Sequence, residues 1–117
     1  MWIRRVVPNI RGERLDESRR FYTEVIGLEH GMDLGWIIGF ASPTNETAQL
    51  QVIREDASAP VTPDVTIEVG DVDTVHARAV AQGAEIVYPP TEEAFGVRRF
   101  FVRDPNGAVI NVMQHLE

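Results

Sequence analysis

The chain has no cysteine, no lysine and no long run of apolar residues. Without cysteine, it cannot use disulfide bonds, thiolate metal ligands or cysteine nucleophiles. No stretch approaches the roughly 20 apolar residues that a membrane-spanning helix requires. The first residues, "MWIRRVVPNIRGER", lack the uninterrupted apolar segment of a signal peptide. We therefore expect a cytoplasmic protein.

Positive charge is scarce, since 11 arginines stand against 18 acidic residues, for a net charge of −7 and a pI near 4.9. Nucleic-acid-binding proteins present basic faces, so we expect no nucleic-acid partner. The acidity weakly favours a cationic ligand. The alternative is an acidic, solvated surface with no binding role. A length of 117 residues indicates one domain.

The hydrophobic pattern changes period along the chain and then repeats. Residues 2–10 alternate as a strand does, and "RLDESRRFYTEVIGL" has the spacing of a helix that ends at Gly27. The pattern restarts with a strand at 64–69, which leads into a second predicted helix, at 72–82, that ends at Gly83. The remaining segments predict strands at 29–33, 36–41, 48–54, 84–90, 97–104 and 108–113.

This order describes two similar halves. We predict module one at 1–54, a polar linker at 55–63 and module two at 64–117, each module having the order βαβββ. The helix-ending glycines lie 56 residues apart, and the last strands of the two halves align as "AQLQVI" over "AVINVM" at an offset of 60. The predicted fold class is therefore α+β.

Three segments together resemble the vicinal oxygen chelate superfamily: "LDESRRFYTEVIGLE", "VTIEVGDVDTVHARAVAQGAEIV" and "RRFFVRDPNGAVINVMQH". The superfamily includes glyoxalase I, extradiol dioxygenases, fosfomycin resistance thiol transferases and bleomycin resistance proteins. The resemblance implies that the two βαβββ modules form a curled mixed sheet with the shape of a cup, usually completed in a homodimer. A fold alone does not define a function, so the site needs its own argument.

In the metal-dependent members, ligands come from the first and last strand of each module. The resemblance carries those positions to Val7, Gln51, Asp64 and Asn111. Valine cannot bind a metal, and neutral amides are weak donors for zinc or iron. We therefore expect no metal or other cofactor, although Asp64 and Gln51 with several waters could hold a divalent ion loosely. In character the chain is closest to the metal-free, bleomycin resistance-like members.

Alternation along the strands extends the predicted wall of the cup. It mixes apolar surface with amides, carboxylates and an arginine, which suits a small organic ligand of cationic or aromatic type. The candidate ligand-binding residues are Arg5, Val7, Trp36, Phe40, Gln49, Gln51, Asp64, Thr66, Glu68, Phe95, Phe101, Asn111 and Met113.

Several of these residues have alternative interpretations. Asp64 and Glu68 are the candidate catalytic residues, because burial in the cup would raise the pKa of a carboxylate and let it relay a proton. Glu68 could instead form an ion pair with Arg5 or Arg99. Trp36 fits a dimer interface as well as a ligand platform, and Phe95 fits a loop anchor as well as a lid. Of the histidines, only His115 shares the parity of the predicted cup wall.

Two functions remain open at this level. The first is a metal-free binding protein that sequesters a small molecule in a dimeric cup, as antibiotic resistance proteins of the bleomycin group do. The second is a glyoxalase- or dioxygenase-like enzyme, a lyase or an oxidoreductase, with a divergent or weakly held metal site.

Overall fold

The computed structural model describes residues 2–117, which form eight strands and two helical segments. The first helix, α1 (Leu15–Arg20), continues without a break into a π-helical stretch, Phe21–Ile26, which ends at Gly27 with φ 93°. The elements in chain order are β1 (Ile3–Arg11), α1 (Leu15–Arg20), β2 (Glu29–Asp33), β3 (Ile37–Ala41), β4 (Gln49–Ile53), β5 (Val65–Val69), α2 (Val72–Ala81), β6 (Ile86–Glu93), β7 (Val97–Arg103) and β8 (Val109–His115).

All eight strands belong to one curled sheet with the order β2-β3-β4-β1-β5-β8-β7-β6. In the centre of the sheet, β1 and β5 pair antiparallel. This pairing joins the first half of the chain, with strands β1–β4, to the second half, with strands β5–β8. Each of the two central strands pairs in parallel with the last strand of its own half, β1 with β4 and β5 with β8. The predicted α+β fold with a curled mixed sheet is confirmed.

Both helices cover the same face of the sheet, and each has its own apolar core. The core under α2 contains Val69, Val72, Phe100 and Val112. The core under α1 contains Ile38, Phe40 and Val52, and Leu15, Tyr22 and Leu28 pack against it. The opposite face, called here the open face, carries no helix and therefore presents the second set of alternating side chains.

Local chemistry explains where the second helix begins and where the last hairpin turns. The Asp71 carboxylate accepts the backbone N–H groups of Asp73 and Thr74 at 3.1 and 3.3 Å, which caps the N-terminus of α2. Between β7 and β8, the Asp104 carboxylate accepts the N–H groups of Asn106 and Ala108 at 2.8 and 2.9 Å. No helix within residues 2–117 is long and apolar enough to cross a membrane.

The prediction that Phe40 lines the cup is wrong. Ile38 and Phe40 point toward α1, and Phe40 is only 1% exposed in that core. Strand alternation starting from Trp36 predicts that Trp36, Ile38 and Phe40 all point the same way. Trp36 lies in the bend before β3 begins, so strand alternation does not determine its direction.

Candidate functional site

The open face holds a cavity of about 220 Å³, called here the main cavity. Side chains from the central strands form its floor, and the bend before β3, the segment after β4 and the β6–β7 turn form its walls. Its volume is below the roughly 300–1,000 Å³ of drug-sized pockets. The cavity therefore suits a small molecule or one end of a larger one.

Four neutral polar residues lie on the cavity floor: Asn9, Gln51, Thr66 and Asn111. They are neighbours by strand register, because Asn9 stands opposite Gln51 and Thr66 opposite Asn111. The Thr66 hydroxyl is the centre of the group, since its oxygen accepts the amide N–H groups of Asn9 and Asn111, each at 3.1 Å. The floor is thus a hydrogen-bonded amide–hydroxyl–amide row, with Gln51 beside it.

Two residues predicted for this position lie elsewhere. Val7 is fully buried opposite Thr66 and does not line the main cavity. Asp64 precedes the first residue of β5 and is exposed, and its carboxylate accepts the Val109 N–H at 2.8 Å. The β1 and β5 residues on the cavity floor are therefore Asn9 and Thr66, each two residues after the position, Val7 or Asp64, that the resemblance assigned to a metal ligand.

The amide row has unused acceptors. Within residues 2–117, the Oδ1 atoms of Asn9 and Asn111 are the buried side-chain polar atoms that have no hydrogen-bond partner. An unsatisfied buried acceptor costs about 1–3 kcal/mol. Such groups occur where a ligand or an ordered water completes the hydrogen bonding.

Aromatic and aliphatic side chains form the walls of the main cavity. Trp36 and Phe95 meet edge to face, with ring centroids 5.9 Å apart, although 59 residues separate them in sequence. Ile37, Ile53 and Met113 add aliphatic surface. The result is an apolar enclosure above a polar floor, the usual composition of a small-molecule site.

A buried ion cluster supports one side of this wall. The Arg99 guanidinium binds the Asp56 carboxylate through both Nη atoms at 2.8 Å, and its Nε lies 2.6 Å from Glu93 Oε2. Its Cζ also lies 5.2 Å from the centroid of the Phe95 ring. Burial lowers the pKa of Arg99, but the hydrogen bonds and charges of the two carboxylates outweigh burial and raise it above its ordinary value.

A second polar cluster lies beside the main cavity, around Glu68. Arg5 Nε and His115 Nδ1 lie 2.6 and 2.9 Å from the two oxygens of the Glu68 carboxylate, and Arg5 Nη1 also donates to Gln49. This cluster borders an open pocket of about 400 Å³, and Arg5 and His115 also reach the main cavity. The predicted ion pair of Glu68 is therefore with Arg5 and not with Arg99.

The pKa of Glu68 is lowered, whereas burial in the cup was expected to raise it. Burial is the largest influence and raises this pKa, but the hydrogen bonds from His115 and Arg5 together outweigh burial. The pKa of Glu68 therefore lies below its ordinary value, and the group is held as a carboxylate. A carboxylate so stabilised is poorly suited to general acid–base work near neutral pH.

The residues on the cavity floor do not suit a transition metal. Their donors are amide and hydroxyl oxygens, which are weak ligands for zinc or iron. Within the described chain, no group of three or more His, Asp or Glu residues is arranged to hold an ion. The carboxylates nearest the cavity, Asp56 and Glu68, already bind arginines.

The structure brings together seven of the predicted residues in the main cavity: Arg5, Trp36, Gln51, Thr66, Phe95, Asn111 and Met113. Gln49 and Glu68 lie in the neighbouring polar pocket. Phe101 is fully buried beneath Arg99, with its ring centroid 4.8 Å from the Arg99 Cζ. Of the predicted wall, Val7, Phe40, Asp64 and Phe101 line neither pocket.

Several residues of the site were missing from the predicted set, and Asn9 and Asp56 are the two that matter most for its polar chemistry. Asn9 carries the same alternation as Arg5, and its spacing of 57 to Thr66 matches the spacing of the predicted pair Val7 and Asp64. That signal was present in the sequence. Asp56 lies in the segment predicted as a linker, and nothing local to that polar stretch marks it as the buried partner of Arg99.

Comparison with solved structures shows the same architecture. A glyoxalase/bleomycin resistance protein/dioxygenase superfamily member from Vibrio splendidus 12B01 is 18% identical, with a TM-score of 0.65 over 96% of this chain and 98% of that one. Methylmalonyl-CoA epimerase from Mycobacterium tuberculosis is 18% identical, with a TM-score of 0.70 over 99% and 89%. The Mn(II)-bound glyoxalase from Novosphingobium aromaticivorans is 23% identical, with a TM-score of 0.66 over 97% of this chain and 38% of that longer one.

These similarities are too low in identity to indicate more than the fold, and no curated protein is significantly similar to the chain. The chain thus belongs to the class of α+β proteins in which two βαβββ halves share one curled sheet, with a cavity on its open face. The family model described as the Glyoxalase/Bleomycin resistance protein/Dioxygenase superfamily matches residues 2–112. The chain belongs to this superfamily, as its sequence motifs predicted.

Proposed function

We propose that this protein binds a small organic ligand reversibly in the main cavity and sequesters it without chemical change. In this respect it would act as the binding members of its superfamily do, of which bleomycin resistance is one example. The observation that carries the proposal is the neutral floor of Asn9, Gln51, Thr66 and Asn111 between aromatic walls. Such a floor recognises hydrogen-bonding groups, and it offers no strong acid, base or nucleophile.

The state of the nearby ionisable groups supports binding over catalysis. Of the two candidate catalytic residues, Asp64 accepts a backbone N–H outside the cavity, and Glu68 is stabilised as a carboxylate by Arg5 and His115. A general base needs a pKa near the working pH and a free path to the substrate. The alternative, a glyoxalase- or dioxygenase-like enzyme with a weakly held metal, would need donors that the cavity floor lacks.

The test combines metal analysis with ligand binding. Protein purified without chelators is expected to carry far less than one Mn, Fe, Ni or Zn per chain. A thermal-shift screen of small aromatic compounds is expected to find stabilisers that mass spectrometry recovers unchanged after incubation.

A matched pair of variants locates the binding. Trp36→Ala is expected to weaken every hit, because the indole forms part of the cavity wall. Phe21→Ala removes another aromatic ring, 47% exposed and away from the cavity, and is expected to leave binding unchanged. Near-stoichiometric metal, or conversion of a bound compound to product, would contradict the binding role and favour the enzyme.

A further inference from the structure

We propose that the amide row on the cavity floor binds the N–H groups of a small cation, an amidinium or guanidinium carried on a flat apolar body. The inference rests on the proposed function, because it names the chemical class of ligand for the same cavity. Three observations lead to it: the used donors, the unused acceptors and the aromatic walls.

The cationic donors that border the main cavity are already engaged. Arg99 gives its N–H groups to Asp56, Glu93 and Ser58. Arg5 gives N–H groups to Glu68 and Gln49. A ligand carboxylate or phosphate would have to compete with these buried partners, so the cavity is poorly prepared for an anion.

Two side-chain acceptors on the cavity floor, in contrast, have no hydrogen-bond partner. Asn9 and Asn111 both direct their N–H groups to Thr66, which leaves both of their amide oxygens without a donor. These oxygens are buried in the free protein, and because the last torsion of a carboxamide is broad, a ligand that replaces the bonds to Thr66 can draw them toward the cavity that both residues line. Two acceptors on either side of one hydroxyl suit a planar group that offers two or more N–H donors.

The aromatic walls, rather than the net charge, favour the same class of ligand. Arg5 and Arg99 are paired with the carboxylates of Asp56, Glu68 and Glu93, and Arg4 also lies 4.0 Å from Glu68, so positive and negative charges balance around the cavity. Net charge therefore favours neither a cation nor an anion. The walls formed by Trp36 and Phe95 provide aromatic surface, which attracts cations as well as flat apolar groups.

Three nearly isosteric probes test the inference by calorimetry: benzamidine, which only donates hydrogen bonds; benzamide, which donates and accepts; and benzoate, which only accepts. We expect benzamidine to bind most tightly, and at least about tenfold more tightly than benzoate, since even one charge-assisted hydrogen bond supplies that ratio.

Variants of Asn111 assign the preference to the amide row. Asn111→Leu is expected to weaken benzamidine about tenfold, which is the loss of one such hydrogen bond, and to leave benzoate unchanged. Asn106→Leu, an exposed asparagine in the β7–β8 turn, is the matched control and should change neither. Asn111→Asp keeps the side-chain shape and adds a charge, so it should tighten benzamidine and weaken benzoate, which keeps the test valid if the leucine variant does not fold.

The outcomes separate this inference from the proposed function. Binding of benzoate or benzamide as tightly as benzamidine would overturn the donor preference while leaving the cavity as a binding site. A preference for benzamidine that survives Asn111→Leu would overturn the role of the amide row. Failure of all three probes to bind at millimolar concentration, together with no aromatic hit in the thermal-shift screen, would overturn both proposals.

Discussion

Replacing Arg99 by methionine is expected to destabilise the fold far more than the same change at its neighbour, Arg98. The Arg99 side chain is 4% exposed, and its partners Asp56 and Glu93 are 1% and 7% exposed. The substitution leaves two carboxylates buried without their cation. Breaking a buried ion pair from one side costs about 3–5 kcal/mol in the free energy of unfolding.

Arg98→Met provides the control, because it removes the same kind of side chain from the same strand. The Arg98 and Asp73 side chains are 29% and 63% exposed, and their ion pair spans 2.9 Å. Water screens such a pair, so its loss should cost no more than about 1 kcal/mol.

Urea unfolding followed by circular dichroism measures both variants, provided that the slope of each transition stays constant. The triple variant Arg99→Met, Asp56→Asn, Glu93→Gln should recover most of the lost stability, because no uncompensated charge remains. Equal losses for the two single variants would refute the view that the Arg99 cluster holds this wall of the cavity together.

Three further predictions follow from the structure. Phe40→Ala should lower the free energy of unfolding by about 3–5 kcal/mol, because Phe40 lies in the core under α1. The variant that stays folded should bind ligand as tightly as the wild type, and a selective loss of affinity would show that Phe40 lines the cavity after all. Because the pKa of Glu68 in the folded protein lies below its ordinary value of 4.5, its carboxylate stabilises the fold above that pH, and this contribution is lost as the pH falls through the folded pKa. The stability difference between the wild type and Glu68→Gln should therefore shrink as the pH falls below 4.5 in urea titrations. A constant difference would contradict the assigned pKa direction. The homodimer implied by the superfamily resemblance should appear in light scattering as twice the chain mass of 13.1 kDa, and a value near 13.1 kDa would exclude it.

The fold could be predicted from the sequence because its signals are local and occur twice. Gly27 and Gly83 end the two helical segments, and the Asp104 turn sets the last hairpin. Alternation then assigned most of the open face, including Thr66 and Asn111. It failed for Phe40, because the bend at Trp36 interrupts the strand whose parity was extended through it.

The energetics of the site depend on long-range pairing and could not be predicted in the same way. Asp56 and Arg99 lie 43 residues apart, and no periodicity connects a polar segment to a particular arginine on β7. The pKa of Glu68 depends on whether burial or its two cationic partners dominate, and that balance needs their distances. The unused oxygens of Asn9 and Asn111 become visible only when every donor around them has been assigned.

The hydrogen bond between Asn9 and Thr66 crosses the boundary between the two halves of the chain, because one residue lies on β1 and the other on β5. A molecule held by Asn9 and Asn111 would therefore act as a non-covalent cross-link between the halves. At about 100 times its dissociation constant, such a ligand adds about 2.7 kcal/mol to the stability of the folded state. Amide protons in the β1–β5 ladder should exchange with solvent more slowly as the ligand concentration rises, which makes hydrogen exchange at this boundary a sensitive reporter of occupancy.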